Sequence, residues 1–218
     1  MKNQVLVVGL GRFGSSVARS LYNLGHDVLA IDVDEERVRH MMGQVTYPVT
    51  GNATDEAVLK DLGISECEAA VVAVGADIVA SVLTCVLLKD IGVSYIVARA
   101  HDELHGNALE RIGVNKVIHT ESEMGVRVAH NLFNPNLQEY LELGPNFGLS
   151  RIKVTESYVG KTLKEQGFSS PRDKYGLTVL VIKRGNEITL NPDNEERLKD
   201  GDVLILAGKD DLLERMPS

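Results

Sequence analysis

The residues best suited to hold a reactive or signalling molecule come at the start of the chain. Gly9, Gly11 and Gly14 form the string GLGRFG directly after an apolar, β-branched run. The first glycine permits a tight turn, the second lets a phosphate approach the backbone, and the third lets a helix pack closely. That helix, predicted to begin at Phe13, offers free N–H groups to an anion. The spacing therefore predicts a site for nucleotide phosphates.

A carboxylate in the right place strengthens this prediction. Asp32 ends the second apolar run, 18 residues after Gly14, where it can accept hydrogen bonds from ribose hydroxyls. Because a 2′-phosphate would meet its negative charge, NAD, ATP and ADP are favoured over NADP, and the residue does not separate those three. The alternative is a glycine-rich turn followed by an unrelated capping aspartate.

Further candidates flank the glycine turn and follow the third apolar run. Arg12 lies inside the turn, where its guanidinium can pair with terminal phosphates; a solvated turn arginine is the alternative. The string GNATDE contributes Asn52, Ala53 and Thr54, small residues and an amide that suit a flat base. Thr54 or Asp55 would also make a good helix N-cap, and the two interpretations are compatible.

Three charged residues follow the remaining apolar runs. Asp77 comes after the fourth run and Arg99 ends the fifth, so both are expected to line the same crevice, Arg99 as a phosphate partner. Glu121 follows the sixth run. A carboxylate beside a triphosphate is costly unless a cation bridges them, so Glu121 is predicted to bind Mg²⁺ or a similar cation. The alternative is an acidic residue in the first turn of a helix.

We find no acid–base constellation to accompany this site, so the sequence predicts a protein that is not an enzyme. His101 and His105 have the spacing of a zinc pair but lack the glutamate of an HExxH motif, which favours the start of a surface helix. The region after residue 145 contains neither histidine nor cysteine. There Tyr158 and Lys161 are three residues apart, not the four of the short-chain dehydrogenase pair.

Length, charge and cysteine content limit the classes of protein to which the chain can belong. A chain of 218 residues predicts one full domain and a smaller one. Its net charge of −8 argues against a broad nucleic-acid-binding surface, and no basic helix-turn-helix is visible for a DNA-binding repressor. Cys67 and Cys85 are expected to be core thiols of a reducing cytosol. The longest apolar run, 78–88, is shorter than the roughly 20 residues that span a bilayer.

The elements that position these residues alternate regularly in the first half of the chain. Apolar runs predict strands at 4–9, 27–32, 45–50, 69–75, 94–100 and 115–120, separated by helical segments at 13–24, 35–42, 54–62, 78–90 and 102–111. Strands that alternate with helices predict an α/β fold, a Rossmann-like doubly wound parallel sheet. The helix at 78–89 is apolar all round, which requires burial on every side, against the sheet or at a subunit interface.

The second half of the chain changes character. A helix from residue 121 to Pro135 and the string NLQEYLEL predict a crossover helical segment over 121–145. Period-2 alternation then predicts strands at 149–156, 178–185, 187–192 and 202–209, with short helices at 159–166 and 209–215. The expected domains are therefore 1–120, the crossover at 121–145 and a small α+β domain at 146–218.

These strings together resemble a known family, the RCK (regulator of K⁺ conductance) regulatory subunits of Ktr and Trk potassium uptake systems, most closely the KtrA type. The resemblance covers nearly the whole chain, because the order and spacing of the strings are specific although each one alone is modest. It rests on VVGLGRFG with Asp32, GNATDE, VAVGADIVAS, VARA, RIGVNKVIHTESEMGVRVA, VGKTL, YGLTVLVIKRG and GDVLILAG.

The resemblance implies an architecture and a mechanism. A nucleotide domain (RCK_N), a crossover that ties two subunits and a C-terminal lobe (RCK_C) would assemble as an octameric ring on the cytoplasmic face of a KtrB- or TrkH-like channel protein. ATP would favour conduction and ADP the inactive state. The implied contacts are phosphates at Gly9, Gly11, Arg12 and Gly14, ribose at Asp32, base at Asn52 and Ala53, and a cation at Glu121.

Two further possibilities stay open. C-terminal lobes of some relatives bind cyclic di-AMP between two lobes, and here Arg172, Lys174 and Tyr175 could serve its phosphates and purines, an exposed charged loop being the alternative. The competing function is a small NAD-dependent oxidoreductase or a redox sensor of NADH. The missing catalytic base and the small second domain weaken it.

Overall fold

The computed structural model describes residues 3–132, 137–168 and 177–213. The chain divides into two compact units, residues 1–120 and 121–218. None of the described helices combines the length and the apolar character that crossing a bilayer demands.

A six-stranded parallel sheet forms the first unit, as the sequence predicts. Its strand order is β3-β2-β1-β4-β5-β6. The chain therefore builds outward from β1 to β3 and then returns to β4, and ligands of such sheets bind outside the carboxyl ends where this reversal occurs. The strands are β1 (Gln4–Val8), β2 (Asp27–Asp32), β3 (Tyr47–Thr50), β4 (Ala69–Val72), β5 (Tyr95–Arg99) and β6 (Lys116–Ile118).

Helices cover both faces of this sheet, which is why its strands are apolar throughout. Val7 packs in one core cluster with Ala18 and Val38, whereas its neighbours Leu6 and Val8 pack in another. Two separate cores thus arise from the side-chain alternation along a single strand. The helices are α1 (Arg12–Asn23), α2 (Glu35–His40), α3 (Glu56–Asp61), α4 (Ile78–Ile91) and α5 (Glu103–Ile112), with a 3-10 turn at Ile64–Glu66.

Helix α4 is buried on one side within this chain, so the sheet alone does not give the complete burial that its apolar sequence requires, and the subunit-interface alternative stays a prediction. Cys85 and Leu88 are fully buried, but Val79 is 67% and Leu83 47% exposed. The sheet accounts for only one side of the helix.

The two cysteines are buried thiols, as expected. Burial raises the pKa of Cys67 to about 11, with a smaller contribution from Glu66, and raises the pKa of Cys85 to about 12. Both therefore stay protonated at neutral pH, where a reactive cysteine needs its thiolate form.

The second unit contains a five-stranded antiparallel sheet in the order β10-β9-β11-β8-β7. Helix α6 (Thr120–Leu132) precedes it, as predicted. The other elements are β7 (Leu137–Gly144), β8 (Phe147–Lys153), α7 (Leu163–Gln166), β9 (Leu177–Arg184), β10 (Glu187–Leu190), β11 (Val203–Lys209) and α8 (Asp210–Leu213).

The helical expectation for the end of the crossover segment is wrong. Residues 137–144 form strand β7, which pairs with β8 across a turn where Asn146 adopts a left-handed conformation with φ of 57°. The side chains alternate accordingly, since Tyr140 is buried between exposed Glu139 and Leu141. Helix α7 is also shorter than predicted, because Thr162 and Glu165 form a capping box that starts it at Leu163.

An ion pair between a half-buried arginine and a buried carboxylate stabilises the second unit. The carboxylate of Asp202 is fully buried and accepts hydrogen bonds from Arg184 Nε and Nη2, both at 2.9 Å, and from Lys199 N at 2.8 Å. Burial raises the pKa of Asp202, but the hydrogen bonds from Arg184 and Lys199 outweigh it and hold the pKa below its ordinary value. Arg184 also donates to the carbonyl oxygen of Arg197 at 2.9 Å. It thereby joins β9 to the turn before β11.

His105 is buried rather than at the surface, where the sequence placed it. Its Nδ1 accepts a hydrogen bond from His101 N at 3.1 Å, so the ring stabilises the first turn of α5, and its Nε2 is buried without a partner among the described residues. The pKa of His105 lies below its ordinary value, mainly because the ring is buried. The neighbouring rings of His101 and His119 lower it further, and the charge of Asp102 opposes the shift without reversing it. The pair His101 and His105 is thus a helix-start arrangement.

We expect Arg184→Gln to lower the free energy of unfolding by about 3 kcal/mol, because it leaves a buried carboxylate without its partner. The control is Lys164→Gln, which removes an ion pair to Glu195 at 3.0 Å whose two side chains are mostly exposed. Its cost should stay within about 1 kcal/mol. Urea unfolding measures both, and equal costs would contradict the structural role of Arg184.

We expect His105 to make the fold acid-sensitive. Because its folded pKa lies below the ordinary value, the unfolded chain binds the proton more readily. Stability is then complete above about pH 6.5 and falls as the pH drops below it. His105→Asn keeps a hydrogen-bond acceptor but does not titrate. Urea unfolding at pH 8 and pH 5.5 should show a smaller acid loss for the variant, and parallel losses would refute the assignment.

Candidate functional site

The glycine turn between β1 and α1 has the geometry that the sequence predicts. Gly9 has a φ of +88°, which favours glycine, and a Cβ atom on Gly14 would lie 1.8 Å from the carbonyl oxygen of Gly9. Only a glycine at position 14 therefore allows α1 to start so close to the turn. A Cβ atom on Gly11 would meet no protein atom within 4 Å. Gly11 thus faces open space that a ligand can occupy.

The N-terminus of α1 is uncapped, unlike those of the other first-unit helices. Gly11 is the N-cap residue, no side chain accepts from the first turn, and the first turn contains no acidic residue. Helices α2 to α5 are each capped by an aspartate carboxylate, from Asp34, Asp55, Asp77 and Asp102 respectively. The free N–H groups and the positive end of the dipole of α1 therefore remain available to an anion.

Asp32 has a structural role in addition to the predicted contact with ribose. Its carboxylate is buried; Oδ2 accepts a hydrogen bond from Leu10 N at 2.6 Å and Oδ1 accepts one from Asp34 N at 2.9 Å. Arg37 Nη1 lies 3.5 Å from Oδ2. Since each carboxylate oxygen has two lone-pair directions, the group can still accept bonds from a diol.

Arg12 and Phe13 follow the turn and face different surroundings. The Arg12 side chain is exposed and makes no hydrogen bond or ion pair with any described residue. Phe13 packs against the core cluster beneath α1. Arg12 can therefore contact a ligand through its guanidinium, whereas Phe13 can do so only through its backbone N–H.

The segment after β3 forms a turn that uses part of the predicted base-binding set. Asn52 Oδ1 accepts from Thr54 N at 3.0 Å and from Thr54 Oγ1 at 2.9 Å, and Ala53 is buried. Asp55, not Thr54, caps α3 through Ala57 N at 2.9 Å. The side-chain amide nitrogen of Asn52 is the group left to meet a base.

The charged residues after β4 and β5 also have partners in the fold. Asp77 caps α4 by accepting a hydrogen bond from Ala80 N at 2.9 Å. Arg99 Nε donates to Thr120 Oγ1 at 3.0 Å, and a Cβ atom on Gly75 would lie 2.9 Å from its Nη1. Gly75 thus leaves room for the guanidinium. The roles of both residues toward a ligand stay predictions.

Glu121 is the first residue of the second unit and lies exposed in the first turn of α6. Within the described ranges, no three His, Cys, Asp or Glu side chains gather in a way that could hold a metal ion. The predicted Mg²⁺ contact of Glu121 stays a prediction. Arg172, Lys174 and Tyr175, predicted for cyclic di-AMP, lie outside the described residues.

Comparison with known proteins identifies the family of this chain. The TrkA-N domain family model matches residues 5–120 and the TrkA-C domain family model matches residues 149–216. Ktr system potassium uptake protein C of Bacillus subtilis (strain 168) is 38% identical over 95% of this chain and 93% of its own. Ktr system potassium uptake protein A of the same bacterium is 38% identical over 94% of this chain and 91% of its own.

A solved structure agrees in fold. The GsuK channel superposes with a TM-score of 0.66 at 20% identity, over 98% of this chain and 38% of the channel chain. This chain thus spans well under half of that protein. A structure described as the GsuK RCK domain superposes with a TM-score of 0.64 at 19% identity, and this chain spans 46% of it. With both domain models matched in order and relatives similar along nearly their full length, the chain belongs to the TrkA-type RCK family that includes the Ktr potassium uptake proteins.

Proposed function

We propose that this chain is the cytosolic, nucleotide-sensing regulatory subunit of a Ktr-type potassium uptake system and is not an enzyme. The 38% identity to two Ktr potassium uptake proteins supports the system. The observation that carries the sensing role is the uncapped N-terminus of α1 beside the open face of Gly11. Its free N–H groups would bind an anion at the carboxyl edge of the sheet.

The proposed ligands are ATP and ADP. Their phosphates would lie on the N–H groups of Arg12, Phe13 and Gly14, their ribose against Asp32 and their base near the amide of Asn52. Solved structures described as the GsuK channel bound to NAD and GsuK bound to ADP share this fold with TM-scores of 0.63 and 0.53. They support an adenine nucleotide as the ligand class and keep NAD(H) as a second candidate.

Arg12 supplies the means to distinguish ATP from ADP. A ligand shifts a conformational equilibrium only through contacts that differ between the two states. The Arg12 guanidinium is exposed, has no partner in the described part of the chain and lies at the uncapped helix start, so it would reach a third phosphate in its own subunit or a neighbouring one. Glu121 would bring Mg²⁺ or another cation to the phosphates.

The regulatory output requires an assembly. The crossover segment 121–145 would tie two subunits, and the exposed apolar side of α4 would join such pairs into an octameric ring. The ring would bind a KtrB- or TrkH-like channel subunit and so lie on the inner face of the membrane. Cyclic di-AMP would bind in the C-terminal domain 146–218, and the Rossmann-like domain 1–120 would carry the nucleotide.

We expect Gly11→Ala to separate binding from folding. Its backbone, with φ of −66° and ψ of −171°, suits any residue, and the new Cβ atom meets no protein atom. Stability should therefore change by no more than about 1 kcal/mol. Calorimetric titration should show ATP and ADP affinity falling at least about tenfold, because the methyl group fills the space that the phosphates need.

Gly14→Ala is the matched control for this experiment. Its Cβ atom would clash with the carbonyl oxygen of Gly9, so it should cost about 2–3 kcal/mol of stability as well as binding. Unchanged nucleotide affinity in Gly11→Ala would contradict phosphate binding at the turn. Binding of NADH alone by the unmodified chain would favour the redox sensor.

We expect Arg12→Gln to weaken ATP more than ADP. A charge-assisted hydrogen bond to the third phosphate is worth about 1.5–3 kcal/mol, or roughly 10- to 150-fold in affinity. Calorimetry with both nucleotides, with and without Mg²⁺, measures the ratio of the two affinities. An equal loss for ATP and ADP would assign Arg12 to the shared phosphates and remove its discriminating role.

A further inference from the structure

A cavity adjoins the glycine turn on the side of α2. It has a volume of about 440 Å³, lies between α1 and α2, and starts at Leu10 and Gly11. Its polar lining is basic or neutral, from Arg12, Ser15, Arg19, Arg37, His40 and Gln44. No carboxylate belongs to this lining. We call this cavity the α1–α2 cleft.

The guanidinium groups of the cleft are only partly neutralised. Arg12 has no partner among the described residues, and Arg19 reaches only the amide oxygen of Gln44, at 3.4 Å. Arg37 is paired, with Nη1 3.5 Å from Asp32 and Nε 3.3 Å from Asp34. Three arginines therefore line one cavity in a chain of net charge −8, and two of them have no carboxylate partner among the described residues.

Two residues that line the cleft contact Asp32, the predicted ribose ligand. Leu10, which lines the cleft, donates its N–H to Asp32 Oδ2, and Arg37 contacts the same oxygen. Ribose hydroxyls held by Asp32 would therefore lie beside Arg37. A phosphate on such a hydroxyl would enter the cleft instead of facing an isolated carboxylate.

We infer that the α1–α2 cleft binds a phosphate monoester carried on the ribose, so that the site accepts 2′-phosphorylated adenine nucleotides. This inference rests on the proposed nucleotide site and adds a ligand class to it. It also revises the charge argument against NADP. Two backbone N–H groups and Arg37 offset the Asp32 charge, and Arg12 and Arg19 supply two further cations.

Two matched ligand pairs test the inference by calorimetry on the full chain at one low ionic strength. The pairs are NADP with NAD and adenosine 2′,5′-bisphosphate with AMP. We expect the phosphorylated member to bind at least about fivefold more tightly in each pair. Arg19→Gln should remove most of that preference while leaving the affinities for NAD and ADP unchanged. Arg39→Gln should keep the preference, because Arg39 lies on α2 outside the cleft and pairs with Glu35 at 3.0 Å.

The outcomes separate the inference from the proposed function. Equal affinities within both pairs, with ADP bound, would overturn the cleft assignment alone. So would a preference that survives Arg19→Gln. Titration with inorganic phosphate tests whether the cleft binds a free anion instead of a ribose phosphate. If Arg19→Gln abolishes phosphate binding and neither nucleotide pair shows a preference, the cleft is a free-anion site and the inference is wrong. Failure of every nucleotide to bind would overturn the proposed function and the inference together.

Discussion

The carboxylate of Asp32 is the constraint on which the candidate site depends. It is buried at the end of β2 and accepts N–H groups from two separate loops, at Leu10 and at Asp34. These bonds fix the glycine turn after β1 relative to the start of α2. Hydrogen bonds to an ionised acceptor are among the stronger ones in proteins. The direction in which α1 presents its N–H groups follows from this anchor.

The helix caps then determine which helix N-terminus has free N–H groups to bind an anion. Aspartates cap the N-termini of α2, α3, α4 and α5 by accepting hydrogen bonds from backbone N–H groups of the first turn. Helix α1 begins at a glycine with no side chain to do so. Glycines at positions 9 and 14 are dictated by the close approach of turn and helix, whereas the glycine at position 11 fills no packing requirement. A glycine at this position leaves space for a ligand to approach the N-terminus of α1.

The sequence predicts most of the first unit because its determinants are local. Apolar runs, the glycine spacing and the strand-end aspartate each lie within one strand–turn–helix segment, and all six strands are confirmed. Strand β7 was missed because its period-2 signal in NLQEYLEL is short and follows a helix. The buried position of His105 depends on how α5 packs. The α1–α2 cleft depends on residues from two helices that only the fold brings together, and no spacing in the sequence indicates it.

The central claim is that a nucleotide phosphate binds the uncapped start of α1, and amide hydrogen exchange tests it most directly. Exchange of the full chain should be measured with and without saturating ADP. The account predicts slower exchange at the N–H groups of residues 11–14, with the start of α5, which Asp102 caps, unchanged. Calorimetric binding of ADP without any protection at residues 11–14 would contradict it.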